Sequence, residues 1–257
     1  MFPTLFTIGR LSVPAYTVLL DLGLVAALLL AHAEGRRLLR SGAAIDAGLW
    51  TIVAGIVGGR VAYAAVNWPA FADEPTRLLR IWEGGLSFHG AFVAGFLAVV
   101  AFAWLHGYRL VDFWRLADAL APGLAVGMLF GWAACLAAGC AYGAPGEGLG
   151  YAILPDLYGV EASRFATQAA GLVYALLLLL GVVLARRAPF LPGTTFLLYL
   201  LFYFAGSFFL GFTRGDESIY LGPWRLEQAV DLLFVLTSAA ILLFSWWRHR
   251  QPAGAGL

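Results

Sequence analysis

The sequence predicts an all-α integral membrane protein with seven transmembrane helices. Of its 257 residues, 61% are apolar and 12% are charged, and the mean hydropathy is +0.83. These values lie well outside the range of soluble globular proteins. A membrane span needs about 20 apolar residues. Seven windows of this kind lie near residues 14–33, 47–66, 86–105, 117–140, 166–185, 191–212 and 226–247.

The first window resembles a signal peptide, because Arg10 precedes it and Ala31-His32-Ala33 imitates a cleavage site. Its apolar run is longer than the usual signal-peptide core of about 7–15 residues. It also contains Asp21, which suits a packed helix better. We therefore expect an uncleaved first span.

Glycines on the second and fourth windows predict close helix packing. Gly55 and Gly59 are four residues apart, as are Gly123, Gly127 and Gly131. Such spacing lets a neighbouring backbone approach closely where lipid gives helices no hydrophobic drive to associate.

Two further expectations concern the fourth window. Asp118 is placed at its start, where a carboxylate complements the helix dipole. Cys135 and Cys140 are five residues apart, which on a helix points them about 140° away from each other. We therefore predict that the two cysteines do not form a disulfide.

The arginines predict the orientation, since all sixteen basic residues are arginine and cytoplasmic loops carry the excess of positive charge. One side has Arg36, Arg37, Arg40, Arg109, Arg115, Arg186, Arg187, Arg248 and Arg250, and the other has Arg10, Arg77, Arg80, Arg164, Arg214 and Arg225. The first side is expected to be cytoplasmic. The N-terminus is then outside and the C-terminus inside, with outer loops at 67–85, 141–165 and 213–225. No loop is long enough for a second core, so residues 1–257 are expected to form one domain.

Other functional classes are disfavoured by charge and by residue spacing. The net charge of +1 gives no reason to expect a nucleic-acid partner. The four histidines are scattered, without a cysteine or histidine at the spacing of a metal site. We expect no metal and no cofactor. His89, at the start of the third window, is a functional candidate because ionisable residues in spans are costly.

Several segments of the sequence form a recognisable set of motifs. The most specific are Ser87-Phe88-His89-Gly90 and the pattern from Arg164 to Gln168. The others are Ile8–Tyr16, Gly58–Arg60, Phe113–Asp118, Ala121–Gly123, Gly139–Gly143 and Phe212–Arg214. In this order, from about Ile8 to Gln228, the segments resemble the prolipoprotein diacylglyceryl transferase family.

The resemblance implies a multi-pass enzyme of the bacterial inner membrane. Such an enzyme moves a diacylglyceryl group from phosphatidylglycerol to the lipobox cysteine thiol of a preprolipoprotein, and glycerol phosphate leaves. Its partners are therefore phosphatidylglycerol, the preprolipoprotein signal peptide and the membrane. The family also has seven helices, an outer N-terminus and an inner C-terminus.

This chemistry explains the candidate residues. A thiol of pKa about 8.5 must lose its proton, and a histidine of pKa about 6.5 is suited to accept it near neutrality. His89 is the candidate catalytic base. Guanidinium groups bind phosphate oxygens through paired donors. Arg60, Arg164 and Arg214, with Gln168 as a neutral donor, are the candidate substrate-binding residues.

The chain departs from the family signature on the fourth window. That signature begins approximately G-R-x-x-N, whereas this chain has Gly131-Trp132-Ala133-Ala134-Cys135. Trp132 cannot supply a cation. Two accounts stay open: another arginine replaces the missing charge in an active transferase, or the chain is a non-catalytic paralogue that binds phospholipid or lipoprotein.

Overall fold

The computed structural model describes residues 4–9, 11–39 and 42–250. Seven of its helices are long and apolar enough to cross a membrane, which confirms the predicted number. They are α1 (Ala15–Leu38), α2 (Ala43–Val66), α4 (Phe88–Leu105), α5 (Leu110–Ala138), α6 (Thr167–Ala185), α7 (Thr194–Gly211) and α8 (Leu226–Arg250), with a short helix α3 (Pro69–Ala72) after α2. Arg10 and Arg40, two of the arginines used to predict orientation, lie outside the described residues.

The segments outside the long helices contain short hairpins that the all-α prediction did not include. They pair β1 (Thr4–Ile8) with β2 (Leu11–Pro14), β3 (Tyr151–Pro155) with β4 (Glu161–Phe165), and β5 (Tyr220–Leu221) with β6 (Trp224–Arg225), all antiparallel. Short 3-10 turns cover Pro75–Leu79 and Ile81–Glu83. Backbone groups in these segments need hydrogen-bond partners, and hairpins provide them locally.

Helix α5 begins earlier and ends earlier than its predicted window. It starts at Leu110, so Asp112 lies in its first turn. The expectation that Asp118 sits at the helix start was therefore wrong. The helix ends at Ala138, and Gly139 follows with φ +80°. Glycine adopts this left-handed conformation without steric cost and commonly ends helices.

Cys135 and Cys140 form a disulfide, so the prediction that they would not bridge was wrong. The predicted angle assumed that both cysteines lie on one continuous helix. Cys140 instead follows the left-handed turn at Gly139, and Ala141 also has a positive φ, +50°. The chain folds back there, and the two Cα atoms come within 4.7 Å, a usual separation for a disulfide.

The backbone divides into two compact units. One contains the described parts of Met1–Ala27 and Ala121–Leu257, and the other contains Leu28–Leu120. A single domain over 1–257 remains a prediction. The core of the second unit is formed by buried apolar side chains from α2, α4 and α5: Ala44, Ala47, Val99, Phe102, Leu116 and Ala119.

Helices α2 and α4 contact each other at backbone distance, as the glycines of the second window predicted. A Cβ at Gly55 would lie 3.4 Å from the carbonyl oxygen of Ala91, and one at Gly59 would lie 3.1 Å from that of Ser87. Gly58 and Gly90 face each other, because a Cβ on either would collide with the opposite helix. The start of α4 is thus held against the middle of α2.

The glycines of the fourth window behave differently from one another. A Cβ at Gly123 would lie 2.7 Å from the carbonyl oxygen of Ala27, so α1 and α5 do approach closely there. At Gly127 and Gly131, a Cβ would meet none of the described residues within 4 Å. The predicted close approach therefore holds at Gly123 and is wrong at the other two positions.

Candidate functional site

His89 lies in the first turn of α4, and neighbouring residues fix that turn. Ser87 caps the helix, because its hydroxyl oxygen accepts a hydrogen bond from the Gly90 amide at 3.3 Å. The Ser87 amide donates to the carbonyl of Gly59 on α2 at 2.9 Å. The His89 ring is half-buried and packs edge-to-face on Phe88, with centroids 5.6 Å apart.

Arg60 is buried on α2 and binds the segment that leads into this turn. Its five N–H groups all donate to backbone carbonyls. The acceptors are those of Arg77, Leu78, Arg80, Gly84 and Gly85. Its guanidinium also lies over the Phe71 ring, 5.1 Å from the centroid. The arginine therefore ties residues 77–85 to α2, and those residues immediately precede Ser87 and His89.

Arg164 lies on β4 in the first unit and is largely buried. Its Nη2 donates to the Asp156 carboxylate at 3.0 Å, with both side chains about one-tenth exposed. The guanidinium lies over the Tyr142 ring, 4.7 Å from its centroid. The buried Nε of Arg164 has no hydrogen-bond partner among the described residues. Arg164 is thus oriented by an acid and an aromatic face while one donor remains unused.

Asp156 also shapes the tip of the β3–β4 hairpin. Its Oδ1 accepts from the amides of Tyr158 and Val160 at 2.9 and 3.0 Å. Its Oδ2 is the atom that binds Arg164. One carboxylate therefore fixes both the loop and the guanidinium.

Gln168 is fully buried in the first turn of α6. Its Nε2 donates to the carbonyl oxygen of Cys140 at 3.1 Å. Its Oε1 has no partner among the described residues. The amide is therefore anchored to the turn after α5 and keeps one unsatisfied acceptor.

Arg214 follows α7 and pairs with Asp216 through two N–H groups, its Nε to Oδ1 at 2.8 Å and its Nη2 to Oδ2. The same carboxylate accepts from Arg225, whose Nη1 lies 3.4 Å from Oδ1. Arg225 is almost fully buried, and its Nη2 also donates to the Asp216 backbone carbonyl. Asp216 is thus held by arginines from two sides.

Backbone hydrogen bonds join the segments that carry Arg164, Gln168 and Arg214. Ala144 donates to the Thr213 carbonyl at 2.8 Å, and its own carbonyl accepts from the Phe165 amide at 3.0 Å. The Gly215 amide donates to the Tyr142 carbonyl at 2.8 Å. A Cβ at Gly143 would collide with the carbonyl oxygen of Phe165, so glycine is required there. Residues 142–146 therefore lie, like a middle strand, between the segment of Arg164 and the segment of Arg214.

The charges around this network shift two pKa values. Burial raises the pKa of the Tyr142 hydroxyl, and the Asp156 and Asp216 carboxylates raise it further. Burial lowers the pKa of Arg214, but hydrogen bonding to Asp216 and its charge more than offset this, so the net pKa is raised. The tyrosine hydroxyl stays neutral and Arg214 stays cationic at any physiological pH.

The predicted site residues are thus distributed over both units. Arg164, Gln168 and Arg214 come together in the first unit, while Arg60 and His89 belong to the second. The sequence analysis gave no site role to Asp156, Asp216 or Arg225, and it had Tyr142 only as part of the motif Gly139–Gly143. The acidic residues of the outer loops were visible, but nothing in their spacing assigns one to a particular arginine. Among the described residues, no group of three His, Cys, Asp or Glu side chains is placed to hold a metal ion.

Comparison with known proteins decides the family. The model of the family described as prolipoprotein diacylglyceryl transferase matches residues 3–244. The chain belongs to this family. The membership agrees with the resemblance carried by the His89 and Arg164–Gln168 motifs.

Relatives in the prolipoprotein diacylglyceryl transferase family align along nearly the full chain. A protein of Gloeobacter violaceus is 32% identical, with 98% of this chain and 94% of the relative covered. A protein of Nostoc sp. is 31% identical, with 96% of this chain and 90% of the relative covered. A protein of Bacillus licheniformis is 28% identical, with 97% of this chain and 94% of the relative covered. Each is named phosphatidylglycerol–prolipoprotein diacylglyceryl transferase.

Trp132 occupies the position at which the resemblance predicted an arginine, and its surroundings suit an aromatic ring. The indole packs directly against Gly171 on α6, where a Cβ would collide with the ring. The absence of a side chain at Gly171 therefore makes room for the Trp132 ring. The tryptophan fills a packed position between α5 and α6.

Proposed function

We propose that this chain transfers a diacylglyceryl group from phosphatidylglycerol to the lipobox cysteine of a preprolipoprotein in the bacterial inner membrane. The observation that carries the proposal is the family match over residues 3–244, together with the names of relatives aligned over nearly the whole chain. Seven membrane-spanning helices suit a lipid donor.

In the proposed reaction, the cysteine thiol gives its proton to His89. The thiolate sulfur then attacks the terminal glyceryl carbon of the diacylglyceryl group. A carbon–sulfur bond forms as the carbon–oxygen bond to the phosphate breaks, and the electron pair leaves with glycerol phosphate. General-base assistance of this kind contributes about 10²–10⁴-fold to a rate.

Arg164 and Arg214 are the proposed binders of the lipid phosphate. Both are held in fixed orientations by carboxylates, and charge-assisted donors oriented in advance stabilise charge that grows on a leaving group. Gln168 lies in the same hydrogen-bonded network through Cys140. In this proposal, Arg164 and Arg214 with their paired carboxylates take the place of the cation that Trp132 does not provide.

For Arg60 we propose a different role from the phosphate binding expected from sequence. All five of its N–H groups are occupied by backbone carbonyls of residues 77–85. Arg60 then serves as a positioning residue for the turn that carries His89.

The proposed orientation has the N-terminus outside and the C-terminus in the cytoplasm. The arginine distribution supports it, and so does the Cys135–Cys140 disulfide, which joins the last turn of α5 to the turn that follows, at the end of the helix assigned to the outer face. Disulfides persist in the oxidising periplasm and are rare in the cytosol.

The test is to incubate the purified protein with phosphatidylglycerol vesicles and a lipobox peptide, and to measure the peptide mass. A mass increase of one diacylglyceryl group is expected. It should be absent with phosphatidylethanolamine vesicles and with a peptide whose cysteine is replaced by serine. An unmodified thiol in phosphatidylglycerol vesicles would favour the non-catalytic binding paralogue instead.

A further inference from the structure

The turn that follows α5 is short and held in an unfavourable backbone conformation. Gly139 and Ala141 both have positive φ, +80° and +50°. Glycine accepts this region readily, but alanine does not, because its Cβ crowds the following carbonyl. A residue such as Ala141 stays there only when the surroundings fix it. The Cys135–Cys140 disulfide links the end of α5 to Cys140, the residue immediately before Ala141.

This turn contacts the residues that position the proposed phosphate site. A Cβ at Gly139 would lie 2.5 Å from the carbonyl oxygen of Asp156, so the turn packs on the residue that pairs with Arg164. The Cys140 carbonyl accepts the Gln168 amide at 3.1 Å. The Tyr142 ring lies under the Arg164 guanidinium.

The same turn also reaches the segment of Arg214. The Tyr142 carbonyl accepts from the Gly215 amide, and the Ala144 amide donates to Thr213, both at 2.8 Å. Arg214 lies between those two partners in sequence. Arg164, Gln168 and Arg214 therefore all depend on where the chain runs after Cys140.

We propose that the Cys135–Cys140 disulfide is a positioning device for the phosphate-binding arginines, and that its reduction weakens transfer reversibly. The proposal rests on the proposed function. Reduction breaks the Sγ–Sγ bond and adds two electrons and two protons to give two thiols. Without that bond, Ala141 relaxes from its positive φ, and the carbonyls of Cys140 and Tyr142 move away from Gln168 and Gly215. Full activity then requires the oxidised form of the protein.

The experiment compares the oxidised protein with protein treated with a water-soluble phosphine, which is oxidised to the phosphine oxide while water supplies its oxygen and the two protons. Full reduction is checked by thiol alkylation and mass. We expect the KM for phosphatidylglycerol to rise at least fivefold and the KM for the peptide to stay within twofold. Incubation with oxidised glutathione should restore the starting value. A purely structural loss would reduce the active fraction and leave both KM values unchanged, and that result would overturn the proposal.

The matched control is the double variant Cys135→Ser with Cys140→Ser. It should show the raised KM without any treatment and should not respond to the phosphine. Wild-type kinetics that stay unchanged after complete reduction, or a double variant with wild-type KM, would also overturn the proposal.

A readout independent of transfer separates this proposal from the proposed function. Hydrogen exchange of the Ala144 and Gly215 amides should accelerate at least tenfold on reduction, because both bonds depend on the turn. The amide of Ala98 on α4 should exchange equally in both states. If no transfer occurs in the oxidised protein but this difference is seen, the proposed function fails and the positioning role stands. Equal exchange at Ala144 and Gly215 in both states would refute the positioning role.

Discussion

At the scale of single residues, His89 combines a chemically suitable side chain with a firmly held backbone. Its turn is capped by Ser87, and the Ser87 amide is bonded to α2. A proton acceptor must keep its geometry relative to the reacting thiol, and this anchoring provides that. The motif that contains His89 was recognisable in the sequence, whereas the contacts that fix it were not.

Replacing His89 by alanine is expected to lower kcat/KM for peptide lipidation by about 10²–10⁴-fold, since the thiol loses its proton acceptor. The measurement is the rate of mass increase of the lipobox peptide. His249→Ala serves as the matched control, because His249 is exposed near the end of α8, and it should retain wild-type activity. Full activity in the His89 variant would refute the base assignment.

Replacing Trp132 by arginine tests whether the site lacks a cation. We expect Trp132→Arg to give no gain in kcat/KM, because Arg164 and Arg214 already supply the charge and the indole packing on Gly171 is lost. Trp132→Phe, which keeps an aromatic ring, is the companion variant. Its melting temperature should lie closer to that of the wild type than the melting temperature of Trp132→Arg does. A gain of tenfold or more with arginine would indicate a decayed site.

At the scale of elements, α2 organises the start of α4 in two ways. Its glycines allow backbone contact, and its Arg60 binds the carbonyls of the preceding segment. The glycine spacing predicted the first of these. The second could not be predicted, because carbonyl groups are present at every residue and the sequence does not indicate which of them converge.

Arg60→Lys is expected to lower kcat/KM about tenfold. An ammonium group has three donors, so at least two of the five carbonyls bound by Arg60 lose their partner. The assay is again peptide lipidation. Arg36→Lys, at an exposed position on α1 in the same unit, should behave as wild type. Unchanged activity in the Arg60 variant would argue against the positioning role.

Gly58→Ala tests the close approach of α2 and α4. The added methyl group collides with Ala94, and overpacking of about 1–3 kcal/mol should lower the melting temperature by on the order of 5 °C. Gly127→Ala adds the same methyl group in open space and should leave the melting temperature unchanged. Equal melting temperatures for the two variants would contradict the described packing.

The prediction for Cys135 and Cys140 failed at the end of a helix. Helical geometry was applied across Gly139, where the helix has already ended. Glycine occurs inside transmembrane helices as well as after them, so the residue type alone did not mark the boundary. The short hairpins were missed for a similar reason, because strands of two to five residues leave little pattern in a sequence.

At the scale of the whole molecule, composition and apolar run length predicted the seven helices well. Those signals are strong because lipid requires every spanning backbone group to be satisfied within the helix. The orientation stays a prediction that depends on the arginine distribution. The pairing of each arginine with its acid depends on tertiary contacts and could not be predicted from the sequence.

Single cysteines introduced in the loops test the orientation. Leu149→Cys lies at a fully exposed position of the segment 141–165, and Phe190→Cys lies between α6 and α7 at a position that is about half exposed, 48%. In intact spheroplasts, a membrane-impermeant maleimide should label the first and spare the second until the cells are lysed. Labelling of the Phe190 variant alone in intact spheroplasts would reverse the proposed topology.

In the proposed reaction, this chain couples formation of a thioether on the peptide to release of glycerol phosphate. The most direct measurement quantifies both products in one reaction with phosphatidylglycerol vesicles and the lipobox peptide. We predict one glycerol phosphate for each lipidated peptide. Lipidated peptide without glycerol phosphate, or neither product from correctly oxidised protein, would contradict the account.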